Sequence, residues 1–353
     1  MTQIPLNPPS AIPTIQTLTP TIKPTATDDV FDPTVDPVIP ENVATYVPRK
    51  IPRSLQLFNL LGVILPALAV VAAAIATWQL GFGWLYLTMF FVMYAITGLG
   101  ITVGYHRLFT HKSFSTSRAG TWFWAVAGSM AGEGQLLEWC AWHRKHHSHS
   151  DGEDDPHSPH HHPDDGELPQ TFAGFIKGFY HAHMGWFIRN SEEEPNYARY
   201  VPDLMKDPLL VAVANQWRFW VLTGLIAPAV IGGVVTNSWT GALLGFLWGG
   251  AVRLFWVHHV TWSVNSVCHI WGAKEFVSHD ESRNNPVMGI LALGEGWHNT
   301  HHAFPTSARH GLRWWQFDLS YVVIKSLSYV GLTWDVKVPS KERQLAKSTK
   351  KAA

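Results

Sequence analysis

Charge is what this chain most lacks. Only 15% of its 353 residues are Asp, Glu, Lys or Arg, against about 25% in an ordinary soluble domain. From Ser54 to Tyr105 there is none at all. The formal net charge is zero, which removes the electrostatic reason to expect a nucleic acid partner. Cysteine is nearly absent as well. Cys140 and Cys268 are the only two, which excludes a disulfide framework and a C-x-x-C site. Both read as buried free thiols. No basic start leads into an apolar core, so no signal peptide is expected. Residues 1–47 are rich in Pro and Thr and poor in aromatics, and they read as a disordered tail.

What replaces charge is long apolar sequence. The run from Ser54 to Tyr105 is long enough for two membrane helices of about 20 residues each. Gly81-Phe82-Gly83 is the natural turn between them. Phe219 to Val252 again lacks charge and, continued toward Trp262, supplies a second hairpin that turns near Thr236-Asn237-Ser238. The expected spans are about 55–79, 84–105, 217–236 and 240–262. Arg49, Lys50 and Arg53 precede the first hairpin, Arg107 and Lys112 follow it, and Arg253 is placed near the inner end of the fourth span. By the positive-inside rule these ends are cytoplasmic. The apolar stretch Ala119 to Gly132 is short for a span and fits an interfacial or protein-buried segment. The predicted fold is therefore all-α. It has four transmembrane helices under a cytoplasmic helical cap made of about 106–216 and 265–335, all within a domain at 48–335. Residues 336–353 form a Lys-rich tail that is expected to fray.

Histidine is the residue in excess, with 20 copies. HRLFTH carries His106 and His111. HRKHH carries His143, His146 and His147, and GEGWHNTHHAFP carries His298, His301 and His302. On a helix the offsets i, i+3 and i+4 fall within roughly 100° of arc, so three imidazoles point one way. With four spans, all three clusters lie on one side of the bilayer and can meet there. Imidazole binds zinc, copper, iron or nickel. Eight exceed the four ligands of a structural zinc and suffice for two metals with open positions. No H-E-x-x-H of a metallohydrolase and no Glu-x-x-His pair of the carboxylate-rich bundles is present. Iron that activates dioxygen remains, acting on a substrate from the membrane. His157, His160, His161 and His162 sit among Asp and Pro and read as a solvated loop. His258 and His259, inside the fourth span, read as packing or hydrogen-bonded groups near its inner mouth. Asp155 and Glu295 are candidate acceptors that orient ligand imidazoles.

The three clusters, together with EWCAWHRKHH, DPHSP, HAHMGW, TWSVNSVCH and DESRNN in that order, resemble the membrane fatty-acyl desaturases of the stearoyl-CoA, delta-9 type. The resemblance covers about Ile51 to Tyr329. It implies a di-iron centre held by His106, His111, His143, His146, His147, His269, His298, His301 and His302, with Asn265 reaching one iron through water. His146 is expected on a different iron from His143 and His147. The implied reaction uses dioxygen and external electrons to place a cis double bond in a long-chain acyl group carried by CoA or a lipid. Trp139 and Thr261 match residues that shape the bend of the acyl tunnel. Arg144 and Arg189 are candidates for a phosphate-bearing head group. The chain departs from the animal enzymes at Ala141 and Trp142, where they carry Arg-Asp, at Asn190, where they carry Lys, and at Glu133, where they carry Gln. It has no H-P-G-G haem motif, Cys cluster or G-x-G-x-x-G. A separate donor is therefore expected, either cytochrome b5 or a ferredoxin with its reductase. A di-iron lipid or alkane hydroxylase is the near alternative and a His-rich metal transporter the remote one. The expected location is the endoplasmic reticulum or a bacterial inner membrane.

Overall fold

The structure, a computed structural model, describes residues 53–188 and 196–349. The disordered tail expected at 1–47, and Arg189 with Asn190, lie outside the described residues. Helices α1 (Arg53–Leu80) and α2 (Trp84–Leu99) form the first hairpin. The turn works because Gly81 adopts a φ of +93°, which a side chain would oppose. The second hairpin follows later in the chain. Between the two come α3 (Arg118–Ser129), α4 (Leu136–His149) and α5 (Phe172–Tyr180). α6 (Trp217–Thr236) then ends at Asn237, left-handed at φ 47°. Ser238 accepts from the Gly241 amide and starts α7, which runs from Trp239 to Val267. The cap is completed by α8 (Pro286–Leu291), α9 (His298–Ala303), α10 (Leu319–Tyr329) and α11 (Lys341–Lys347).

Among the described residues four helices are long and apolar enough to cross a membrane: Gln56–Leu80, Trp84–Thr110, Trp217–Thr236 and Trp239–Val267. In α1 and α6 only 11% and 17% of the most apolar window is buried, against 56% in the other two. The outer pair therefore turns its apolar side chains outward, as lipid-facing helices do, while α2 and α7 form the centre. The hairpin of α6 and α7 closes on small residues, as membrane helices pack. A Cβ on Gly232 would lie 2.2 Å from the Gly241 carbonyl oxygen.

Two spans run further than the sequence pattern predicts. α2 continues as π-helix from Gly100 to Thr110, and α7 continues past Trp262 to Val267 with a π segment at Phe246–Val252. The first extension carries His106 into the cap, and the second leads to His269 on the turn just beyond it. Hydrophobic run length misses them because the added turns are polar yet buried in protein rather than lipid. π segments cluster at functional sites, and here one holds His106.

Three expectations about charged and polar residues change. Arg107 does not sit at the aqueous end of a span. It is fully buried, 3.1 Å from Asp318 and 3.3 Å from Glu295. Arg253 lies midway along α7, equally buried, and donates to the carbonyls of Met130 and Gly224 at 3.0 Å each. The tail after residue 335 is docked as far as Thr349. Lys337 pairs with Ser113 and Ala308 through backbone hydrogen bonds, Val277 donates to the Lys347 carbonyl, and Thr349 donates to that of Glu275. The two short antiparallel ladders, Ser115–Thr116 with Thr333–Trp334 and His161–His162 with Gly166–Glu167, pin cap loops together.

Candidate metal centre

The histidines of α4 and α9 face one another. Within each helix the i and i+4 residues point together and the i+3 residue points away. His143 and His147 belong to one group with His106, His111 and His301, and His298 and His302 belong to another with His146 and His269. Each helix thus gives a pair to one group and a single imidazole to the other. His106 and His111 arrive on the π-helical end of the second span, and His269 on the turn just past α7.

The nitrogens converge. Nε2 of His301 is 3.0 Å from that of His106 and 2.9 Å from that of His147. His143 Nε2 is 3.0 Å from His147 and 3.1 Å from His111. In the second group His298 Nε2 is 3.1 Å from both His269 and His302. His146 Nε2, buried, has no hydrogen-bond partner among the described residues.

The opposite edge of four rings is fixed by a carboxylate. Nδ1 of His106 lies 2.7 Å from Glu295, that of His146 2.9 Å from Asp155, and that of His269 2.8 Å from Asp151; His302 Nδ1 pairs with Asp280. A carboxylate accepting from Nδ1–H leaves Nε2 with a bare lone pair. Lone pairs about 3 Å apart repel unless something positive lies between them. Metal–imidazole bonds of about 2.1 Å at right angles give nitrogen separations of about 3.0 Å, so the nitrogens present fit two cations.

Protonation agrees with that role. Burial, then the neighbouring imidazoles, holds His111, His143, His147, His298 and His301 well below the usual histidine value. His302 falls to about 4, mainly through burial. His269 is the exception. Burial opposes its protonation, but the Asp151 carboxylate outweighs that and lifts it to about 9. A cation at its Nε2 must therefore displace a proton. Burial also opposes ionisation of Glu295 and Asp280, yet Arg107 with His106, and His302 with His269, hold both carboxylates well below their ordinary range.

Beside the imidazoles run two cavities that share Trp139, His143, Thr261 and Asn265. The wider is lined by Phe58, Val63, Trp186 and Trp217; the narrower reaches Tyr94, Gly98 and Leu293. The Trp139 ring stacks on His143 at 5.1 Å, and its Nε1 donates to Glu133 at 3.1 Å. Burial raises the Glu133 carboxyl to about 7.

Arg144 does not face either cavity. It is buried, pairs with Asp203 at 2.7 Å, and donates to the carbonyls of Phe109, Thr110 and Tyr200. Its guanidinium ties α4 to the end of the second span. His157 is not in a solvated loop either: it is 4% exposed and its ring lies 4.3 Å from that of His146. Cys140 and Cys268 are free and fully buried. His258 Nε2 donates to the Ala131 carbonyl at 3.0 Å, and His259 pairs with His183 at 3.0 Å. Asp151, Asp280 and His310 escaped the sequence reading. The signal for Asp151 was an acid beside a histidine box, since it follows HRKHHSHS directly; for Asp280 it was the stretch DESRNN, which it opens. His310, 3.2 Å from Glu295, had none.

Fold and site together define a mostly helical protein with four candidate membrane spans and two histidine groups that could each hold a metal ion. The chain belongs to the fatty acid desaturase family, whose model matches residues 82–334. It is 39% identical over 277 residues to the hex-5-enoyl-(acyl-carrier protein) acetylenase of Moorena producens (strain JHB), a match that covers 78% of this chain and 84% of that protein. It is 36% identical to the sn-1 stearoyl-lipid 9-desaturase of Anabaena variabilis, over 74% of this chain and 88% of the relative. It is also 36% identical to the acyl-CoA C20 Delta5-desaturase of Anemone leveillei, over 73% and 76%.

Proposed function

We propose that this chain is an integral-membrane fatty-acyl 9-desaturase that holds two iron ions, one in each histidine group, with Asn265 reaching one of them through water. The observation that carries this reading is the convergence of nine imidazole nitrogens beside two cavities lined largely by apolar and aromatic side chains. When bound, paired iron supplies the oxidising power, through dioxygen, to take hydrogen from unactivated methylenes. One –CH2–CH2– unit, one dioxygen, two electrons and two protons become one cis –CH=CH– unit and two waters.

The protein's part is placement. Burial keeps most of the ligand imidazoles neutral, and the four carboxylates hold their rings in one orientation. The apolar walls take an acyl chain and exclude water, and Trp139 with Thr261 holds the bend beside the nitrogens, so that neighbouring methylenes lie next to them. The two electrons come from a separate donor, cytochrome b5 or a ferredoxin with its reductase. The site faces the cytoplasm, in an endoplasmic-reticulum or bacterial inner membrane. Among the described residues lining the wider cavity, the charged ones are Glu133 and Glu138, with no Lys or Arg. That lining suits an acyl chain on a membrane lipid better than one on the polyanionic CoA.

The test is expression in a desaturase-deficient host, followed by purified protein offered acyl-CoA and phospholipid separately. Mass spectrometry locates the new double bond. A 9-monounsaturated lipid is expected. A hydroxylated product alone would reject the desaturase reading, and transport of zinc by an iron-free protein would reject the enzyme.

A further inference from the structure

The short helix α8 leads into the third histidine cluster, and its two faces differ. Met288 and the following Ala292 are buried against Val260, Val264 and Cys268. Val287 and Ile290 are each 64% exposed and Leu291 36%. From Pro286 to Leu293 the chain carries no charge. A second apolar segment adjoins it, with Trp314 93% exposed and Trp315 and Phe317 about half exposed. Trp297 joins the two. Gly289 packs on its ring, its Nε1 donates to the Phe317 carbonyl at 2.8 Å, and Trp315 meets it edge-on at 5.4 Å. The exposed side chains therefore belong to two neighbouring apolar segments held on one buried ring, Trp297, where a water-facing cap would show charge.

Its height along the spans follows from two contacts. The Leu291 carbonyl accepts from the Tyr94 hydroxyl, and the Leu293 side chain lies against Gly98. Counted from Trp84 at the helix start, Tyr94 is about 15 Å and Gly98 about 21 Å along the second span. A hydrocarbon layer of about 30 Å measured from that end reaches past both. α8 is thus fastened to a part of α2 that lies within the layer. Its backbone is also self-satisfied where it starts, with Asn285 Oδ1 accepting from the Met288 amide at 3.1 Å, as a lipid-facing segment requires.

We propose that α8 and the segment at 314–317 form a membrane-seated edge of the cap, whose partner is the lipid bilayer itself. Val287, Ile290 and Leu291 lie in the hydrocarbon. Trp314, Trp315 and Phe317 take the boundary level where aromatic side chains anchor. The cap is then sunk into one leaflet beside the narrow cavity, which Ala292 and Leu293 line. The proposal rests on the four-span reading, and the experiment separates the two.

Single cysteines are introduced into the full chain at Ile290 and Val287, with Leu222→Cys on α6 as bilayer reference and Lys341→Cys on α11 as water reference. The buried native thiols are left in place. Each is labelled with bimane in phosphatidylcholine nanodiscs and quenched with aqueous iodide or with doxyl-labelled lipid. Ile290→Cys and Val287→Cys should be quenched by doxyl lipid to the extent of Leu222→Cys, and by iodide several-fold less than Lys341→Cys. Iodide quenching at both positions equal to that at Lys341→Cys, with Leu222→Cys still lipid-quenched, would overturn the membrane-seated edge and leave the spans standing. Iodide quenching at Leu222→Cys would overturn both.

Discussion

Asp280 and His302 illustrate how much of this site is outside the ligands. A carboxylate at Nδ1 sets the tautomer and the ring angle, so its loss leaves the imidazole in place but misdirected. Asp280→Asn should lower iron retention or turnover by roughly 10–100-fold, measured as iron content and turnover of purified protein. Alanine at any of the nine histidines should abolish desaturation while membrane insertion persists. Full activity in His269→Ala would remove His269 from the set. Glu133 makes a separate prediction. Its carboxyl is raised from 4.5 to about 7 by burial, so the folded state binds its proton more tightly than the unfolded chain. The stability it contributes is complete below about pH 4.5 and is lost as pH rises through about 7, up to about 3 kcal/mol in all. Glu133→Gln should therefore raise the thermal midpoint more at pH 8 than at pH 5.5. An equal shift at both values would contradict the burial argument.

Among the elements, the histidine helices were the most legible. Spacing alone gives the clusters at 143–147 and 298–302, because i and i+4 differ by only about 40° of arc while i+3 to i+4 differ by about 100°. That same difference sends His146 and His301 to the group opposite their helix partners. The apolar hairpins were legible from run length, with their turns at Gly81 and Asn237. What spacing could not give was the π-helical continuation of α2, the burial of Arg107 and Arg253, or the docking of α11, because each depends on partners distant in sequence. A charged residue after an apolar run reads as a membrane-edge anchor until Asp318 and Glu295 are seen around it. His269 and Asn265 came only from family resemblance. At element level the narrow cavity gives a further prediction. Gly98 faces the flexible end of Leu293, where a Cβ would sit 2.9 Å from Cδ1. Gly98→Val should fold and shorten the cavity, shifting products toward shorter acyl chains with roughly tenfold discrimination per excluded methylene. Gas chromatography of host lipids measures it, and an unchanged distribution would place the chain's end elsewhere.

For the whole molecule, the cap and the bundle are bound through the site they share. The second span supplies His106 and, at its end, His111; the fourth leads to His269; and the cap supplies the rest. If the two groups hold iron as proposed, its removal would leave facing lone pairs in a buried centre, so chelation should lower the thermal midpoint and ferrous iron should restore it; a ligand present at about 1,000 times its dissociation constant adds about 4 kcal/mol. Scanning fluorimetry in detergent measures both steps. The docked tail has a practical corollary. Lys347 Nζ donates to the Ala303 carbonyl at 2.8 Å, which closes the helix that carries His301 and His302. A fusion partner or purification handle joined there would tug on the clasp over the third histidine box, so such handles belong at the amino end.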